Sequence, residues 1–368
     1  MTDRICYLNH TPIEAYFLPT SKDFVVKEIP LYEFSNTGEH LILHIRKKDL
    51  TTWDMIDIIS SSIGCKKKDI GYAGLKDKNA MTLQYISIPK KFETKIQNIV
   101  HKKLKILNIT YHNNKIRTGH LKGNSFFIRL KRINQANYTK IKNILKQINI
   151  NGIPNYFGNQ RFGNNNDNYL KAIKIINSEL IIKNKKEKEF LLNAYQSYLF
   201  NQWLSLRIKY SKLINEFNPN EISDIIGIDK YKLKIIKKQP HFFKIFEGEL
   251  MHHYPYGKLF KLEDLNQEAK RFILKDIVPT GLLGGKKVKR ASKDAGIFES
   301  KFDISNLHKD KIDSLLNGTR RFAWVYPTDI NSIYKSKDNH VEINFSLPKG
   351  SYATILIEQL LNKIGLDL

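Results

Sequence analysis

The run Ile70-Gly71-Tyr72-Ala73-Gly74-Leu75-Lys76-Asp77-Lys78-Asn79-Ala80-Met81-Thr82-Leu83-Gln84 sets a carboxylate between two cations, just after a pair of glycines. Glycines at such a place let the backbone turn tightly or lie close to a ligand. Lys76 and Lys78 favour the ionised form of Asp77, because a neighbouring opposite charge stabilises a carboxylate. An ionised carboxylate on a braced loop can act as a nucleophile or as a base. A solvated surface turn accounts for the same charges, and on local chemistry alone it is the commoner case.

A second run, Gly119-His120-Leu121-Lys122-Gly123-Asn124-Ser125-Phe126-Phe127-Ile128-Arg129-Leu130, places an amide and an aromatic ring two residues apart after a turn. Asn124 and Phe126 could hydrogen-bond and stack an unpaired base. Equally, Asn124 could cap the turn and Phe126 could sit in the core. Thr280-Gly281-Leu282-Leu283-Gly284-Gly285-Lys286-Lys287-Val288-Lys289-Arg290 reads as a flexible basic loop suited to phosphates, or as a plain solvated loop. It is not a nucleotide-binding Walker loop, because Lys286 occupies the second glycine position. His40 and His44 share one face of a strand, but without a third ligand a solvated face suits them better than a metal. Cys6 and Cys65 have neither a disulfide-framework count nor metal-ligand spacing and read as ordinary thiols.

These groups must be positioned by regular elements. Phe24-Val25-Val26-Lys27-Glu28-Ile29 reads as a strand closed by Pro30. The alternation of Leu41, Leu43 and Ile45 gives a second, half-buried one. Thr51 opens a helix with Ile56, Ile59 and Ile63 on one face and Gly64 as its stop. Leu83 to Ile88 and residues 104–110 read as strands, and residues 91–102 as an amphipathic helix. A helix carrying Ile141, Ile144, Leu145 and Ile148 precedes Gly152-Ile153-Pro154-Asn155-Tyr156-Phe157-Gly158-Asn159-Gln160-Arg161-Phe162-Gly163, which could pack beside an RNA backbone or form a rigid junction. Phe190 to Tyr210 is the clearest long helix, its aromatic stripe belonging to the core. Val341-Glu342-Ile343-Asn344-Phe345-Ser346-Leu347 alternates cleanly, with Phe345 on the buried side, and a helix ends the chain.

Gly-Tyr-Ala-Gly-Leu-Lys-Asp-Lys-x-Ala-x-Thr-x-Gln resembles the active-site signature of the TruD family of tRNA pseudouridine synthases, whose aspartate is catalytic. The resemblance continues in Asp-Phe-Val-Val-x-Glu with Gly-Glu-His, in Leu-Lys-Gly-Asn-x-Phe and in the Gly152–Gly163 run. It ends in Phe-x-Leu-Pro-x-Gly-Ser-aromatic-Ala-Thr near the end of the chain. It covers both ends and the junctions, while residues from about 211 to 318 carry little of it. It implies Asp77 as catalyst and Phe24, Asn124, Phe126 and Phe345 as substrate-binding residues. Asn79 stands where relatives often carry histidine or arginine.

The resemblance also implies a reaction: uridine in tRNA becomes pseudouridine, with uridine 13 in the D arm as target. Nothing is added or oxidised, so no cofactor and no metal are expected. The base must leave its stack at a cost of a few kcal/mol. Aromatic stacking worth roughly 1 to 3 kcal/mol per base offsets part of this.

Composition agrees with such a partner. Against 36 Asp+Glu stand 61 Lys+Arg, a net +25, which suits an anionic polymer, although an Ile-, Asn- and Lys-rich chain also reflects AT-rich codons. No run of about 18 apolar residues and no secretory pattern at Met1-Thr2-Asp3-Arg4 is found, so a cytoplasmic protein free of membranes is expected. The expected fold is α+β. A pseudouridine synthase-like catalytic domain, residues 1–151 and 327–368, has a largely antiparallel mixed sheet. An inserted α/β domain, the TRUD domain of that family, occupies residues 152–326. A monomer is the default. The rival classes are a non-catalytic RNA-binding protein and another RNA-modifying enzyme such as a methyltransferase, which would need a cofactor site.

Overall fold

The computed structural model describes residues 4–18, 20–76, 78–163, 165–308 and 316–365. In chain order come β1 (Phe24–Pro30), β2 (His40–Lys48), α1 (Thr52–Ile63), β3 (Gly71–Tyr72), β4 (Met81–Pro89), β5 (Leu104–His112) and β6 (Leu121–Lys131). Next are α2 (Gln135–Asn151), β7 (Ile153–Pro154), α3 (Asn168–Ile176), α4 (Lys185–Glu216), α5 (Pro219–Ile226) and α6 (Lys230–Lys237). They are followed by β8 (Leu250–His253), β9 (Leu259–Lys261), α7 (Leu265–Ile273), β10 (Ile277–Leu283), α8 (Lys293–Ser300) and α9 (Ile304–Leu307). Last come β11 (Thr319–Phe322), β12 (Trp324–Val325), β13 (Thr328–Lys335), β14 (His340–Pro348) and α10 (Ala353–Leu361). The chain divides into two compact units. Among the described residues, one comprises Glu14–Leu145 and Pro327–Gly350; the other comprises residues 4–13, Lys146–Tyr326 and residues 351–365.

The first unit is a sheet in the order β13-β14-β6-β1-β4-β2-β5, with β3 also paired to β4. Its pairings are antiparallel except β1 with β4, which run parallel. This is the largely antiparallel mixed sheet expected from the sequence. Leu41, Leu43 and Ile45 of β2 are fully buried, as their two-residue period requires. They pack with Met55, Ile56, Ile59 and Ile63 of α1 and with Ile86 and Ile88 of β4. Each such side chain removed from water contributes about 1.5 to 3 kcal/mol. Helix α1 starts where expected because Thr51 and Asp54 form a reciprocal capping box, and it stops at Gly64, whose φ is 71°. The expected helix over residues 91–102 is instead a run of 3₁₀ turns over Lys90–Asn98. Only Ile96 in that run is buried, too narrow an apolar face to anchor an amphipathic α-helix.

In the second unit α4 extends beyond its expected ends at both termini, and Tyr195, Phe200, Trp203 and Tyr210 on it are buried. Its Arg207 lies within the core, paired to Glu249 at 2.5 Å and set against the rings of Trp203, Phe243 and Phe246. The expected basic loop at 280–290 begins as strand. Residues up to Leu283 belong to β10, and a Cβ on Gly281 would overlap the Trp203 and Phe200 rings. That glycine is there for close packing on α4 rather than for flexibility. Arg290 is held by Asp303 at 2.5 Å. The Gly152–Gly163 run is likewise packed. Tyr156 and Phe162 are buried, Asn201 brackets the backbone of Phe157, and the Arg321 guanidinium lies 3.8 Å from the Phe157 ring. Both cysteines are buried and unbridged, and burial pushes the Cys6 thiol up to about 12.

Candidate active site

Strands β1, β6 and β14 lie side by side in the first unit, with Phe126 opposite Val26 on one neighbour and Phe345 on the other. Because side chains alternate along a strand, Phe24, Val26 and Glu28 share a face with Asn124 and Phe126, and with Phe345 and Leu347. Three of the sequence-predicted residues thereby meet in one column. Phe24 and Phe126 stack with centroids 6.3 Å apart and planes at 6°. Phe126 and Phe345 follow at 5.4 Å and 26°, and Phe17 meets Phe24 edge-on at 6.2 Å. Phe345 is fully buried, whereas Phe126 keeps 7% of its surface. The rings are thus core residues stacked in one column, the geometry fixed by offset stacking.

Asn124 stands opposite Glu28 on β1 and Leu347 on β14. Its Oδ1 is buried and accepts no hydrogen bond among the described residues. The register of β4 brings Thr82 opposite Val26 and hence onto the same face, followed by Gln84. Thr82 Oγ1 and Gln84 Nε2 are also buried without a partner among the described residues. An unmet buried polar group costs about 1 to 3 kcal/mol, so three on one face form an arrangement suited to a polar ligand. Lys47 of β2, opposite Thr82, adds a buried cation whose Nζ donates to the Leu50 carbonyl at 2.5 Å.

Asp77 lies outside the described residues, but the chain on either side of it is well tied. The Ala73 carbonyl accepts from Gly119 N at 2.8 Å, and Ala80 is fully buried. Lys76 N donates to Thr52 Oγ1 at 2.9 Å, and that hydroxyl donates to Gln84 Oε1 at 3.4 Å. The Lys76 ammonium donates to Glu28 Oε2 at 2.7 Å, with the two side chains 6% and 1% exposed. The charge of Lys76 is thus engaged by Glu28, a partner the local sequence does not show because it lies 48 residues away. Lys78 is exposed. His44 is used for packing, stacked on Tyr85 at 4.4 Å.

Sequence reasoning missed Glu28, Thr52, Thr82, Gln84 and Lys47. A signal was available for two of them. Thr82 and Gln84 fall on the same period as the buried Ile86 and Ile88, where apolar residues belong.

Comparison with known proteins adds to this geometry. The sequence matches the family model described as tRNA pseudouridine synthase D (TruD), over residues 5–181 and 164–360. A Wolinella succinogenes protein named tRNA pseudouridine synthase D is 50% identical over 362 residues, covering 98% of each chain. One of the same name from Nitratiruptor is 47% identical, again over 98% of each. Among solved structures, a Methanosarcina mazei chain carrying the TruD name superposes with a TM-score of 0.69 at 21% identity, covering 97% of this chain and 96% of that one. At that identity the likeness speaks for the fold.

Proposed function

Since the chain belongs to the tRNA pseudouridine synthase D (TruD) family and is thereby an enzyme of the isomerase class, we propose that it converts uridine 13 in the D arm of tRNA to pseudouridine, with Asp77 as the catalytic group. The C1′–N1 bond of the uridine breaks, the uracil turns, and C1′ joins C5; C5 gives up its proton and N1 ends with one. Atoms balance without a donor or an oxidant, so this reading calls for no cofactor or metal. The carboxylate of Asp77 attacks the sugar or base, or removes a sugar proton to give a glycal. In either route the detached uracil must be held while it turns.

The observation that carries the reading is the strand face that Glu28 shares with Asn124, tied through Glu28 to Lys76. The column of Phe24, Phe126 and Phe345 lies there with the unmet polar atoms of Asn124, Thr82 and Gln84. A flat base with carbonyl and N–H edges suits that pairing of apolar rings and polar atoms. In this reading Phe126 supports the flipped ring and Asn124 accepts from a uracil N–H. Residues 1–151 and 327–368 make the catalytic domain, 152–326 is the insertion that helps grip RNA, and the enzyme works as a monomer in the cytoplasm. The test is pseudouridine formation in unmodified tRNA, mapped by position, with wild type and Asp77→Asn and no added cofactor. Product at uridine 13 that disappears in the variant is expected. An inactive wild type, or a fully active variant, would overturn the assignment and favour a binding protein.

A further inference from the structure

Glu28 is a charged residue on the buried face of a central strand, with its side chain 1% exposed. One carboxylate oxygen takes the Lys76 ammonium at 2.7 Å, and the other accepts from Tyr85 N at 3.3 Å. The parallel ladder between β1 and β4 spans only Val25–Lys27 against Met81–Leu83, so just past its end the Glu28 side chain takes up a β4 N–H in place of a backbone carbonyl. Lys76 is thereby fixed twice, through its ammonium to β1 and through its backbone N–H to Thr52 at the start of α1. Two elements distant in sequence therefore hold the residue that immediately precedes Asp77.

A buried ion pair is a poor way to gain stability, because desolvation of both charges offsets their attraction, and an apolar pair of equal volume often does as well. What such a pair supplies is a unique geometry. We infer that Glu28 is a positioning residue for the reaction: by clamping Lys76 it fixes the entry to the Asp77 loop against the strand facing Asn124. The inference rests on the proposed role of Asp77. The register gives it a second support, since Glu28 and Asn124 are directly opposed, so one residue sets the loop and borders the base-holding amide.

The test compares Glu28→Gln, Lys76→Met and the double variant in single-turnover assays on tRNA, with rates normalised to the folded fraction from thermal melts. A displacement of about 1 Å at a reacting group lowers rates on the order of 100-fold, so each single variant should lose roughly that in kcat. Affinity for tRNA should stay within about twofold, and the double variant should be no slower than the worse single one, because both act through one contact. Lys76→Arg should recover part of the rate. Wild-type kcat per folded molecule in Glu28→Gln or in Lys76→Met would overturn the positioning role; with Asp77→Asn inactive in the same assay, the catalytic reading would stand. Should Glu28→Gln not fold, Lys76→Met alone decides by the same criterion. An active Asp77→Asn would remove the premise for both.

Discussion

At Asn124, two demands on one side chain separate cleanly. Its Oδ1 is buried without a partner among the described residues, so in the free enzyme the group costs stability rather than adding it. Replacing it by alanine should leave the melting temperature unchanged or slightly raised. The same change should lower kcat/KM about tenfold or more, since a hydrogen bond worth roughly 1.4 kcal/mol is a factor of ten in rate. Melting curves and initial rates on tRNA check this together. A drop of several degrees with unchanged kcat/KM would make Asn124 a turn-capping residue instead. The aromatic residues behave differently. Phe345 could be read as buried from its place in an alternating strand, and it is. That Phe24, Phe126 and Phe345 form one stack could not be read from the sequence, because it depends on the pairing of β1, β6 and β14 across more than 200 residues of chain, and local pattern fixes no long-range register.

Elements that carry their own signals were legible. A capping box, a glycine stop and apolar residues at helical spacing identified α1, and strict alternation identified β14. Segment 238–249 had no such signal, for a physical reason: over residues 239–245 its backbone is met mainly by side chains instead of by a ladder or helix. Gln239 exchanges hydrogen bonds with both backbone groups of Ile245 at 2.8 and 2.9 Å. Phe243 N donates to His241 Nδ1 at 3.0 Å, and His241 Nε2 is 3.1 Å from the Asn151 carbonyl, so the ring is neutral with its proton on Nε2. Burial drives the His241 pKa down from 6.5 to about 4. Between those values the unfolded chain binds a proton that the folded one does not, so the stability held here is complete above about pH 6.5 and drains away as pH falls toward 4. The shift corresponds to roughly 3 kcal/mol, using about 1.4 kcal/mol per pH unit. Urea unfolding at pH 7 and pH 4.5 should show this loss in wild type and a much smaller one in His241→Phe. An equal pH dependence in the two proteins would show that the ring titrates normally.

Over the whole molecule, the charge excess of +25 remains the feature that most needs a use. Several carboxylates, including Glu28, Glu249 and Glu299, are buried against Lys76, Arg207 and Arg320, each in a pair that cancels locally. Most of the excess therefore belongs to the exposed lysines and arginines, and two accounts of it give opposite expectations. If the lysines only follow AT-rich codons, they are scattered, and RNA affinity should depend weakly on salt. If they neutralise tRNA phosphates, each contact releases a counterion, and 6 to 10 of them weaken binding about 10³- to 10⁵-fold between 50 and 200 mM salt. On the proposed reading, a face that holds one flipped uridine has little grip on the rest of a tRNA, so recognition of the folded RNA must come from the wider basic surface. We therefore expect the steep dependence, appearing in KM while kcat under saturating tRNA changes little, because the proposed chemical step is beside buried groups that salt screens poorly. A titration of tRNA affinity and single-turnover rate across that salt range decides it. A flat affinity curve would assign the charge to codon usage, and a rate falling in step with affinity would place exposed charges in the chemistry itself.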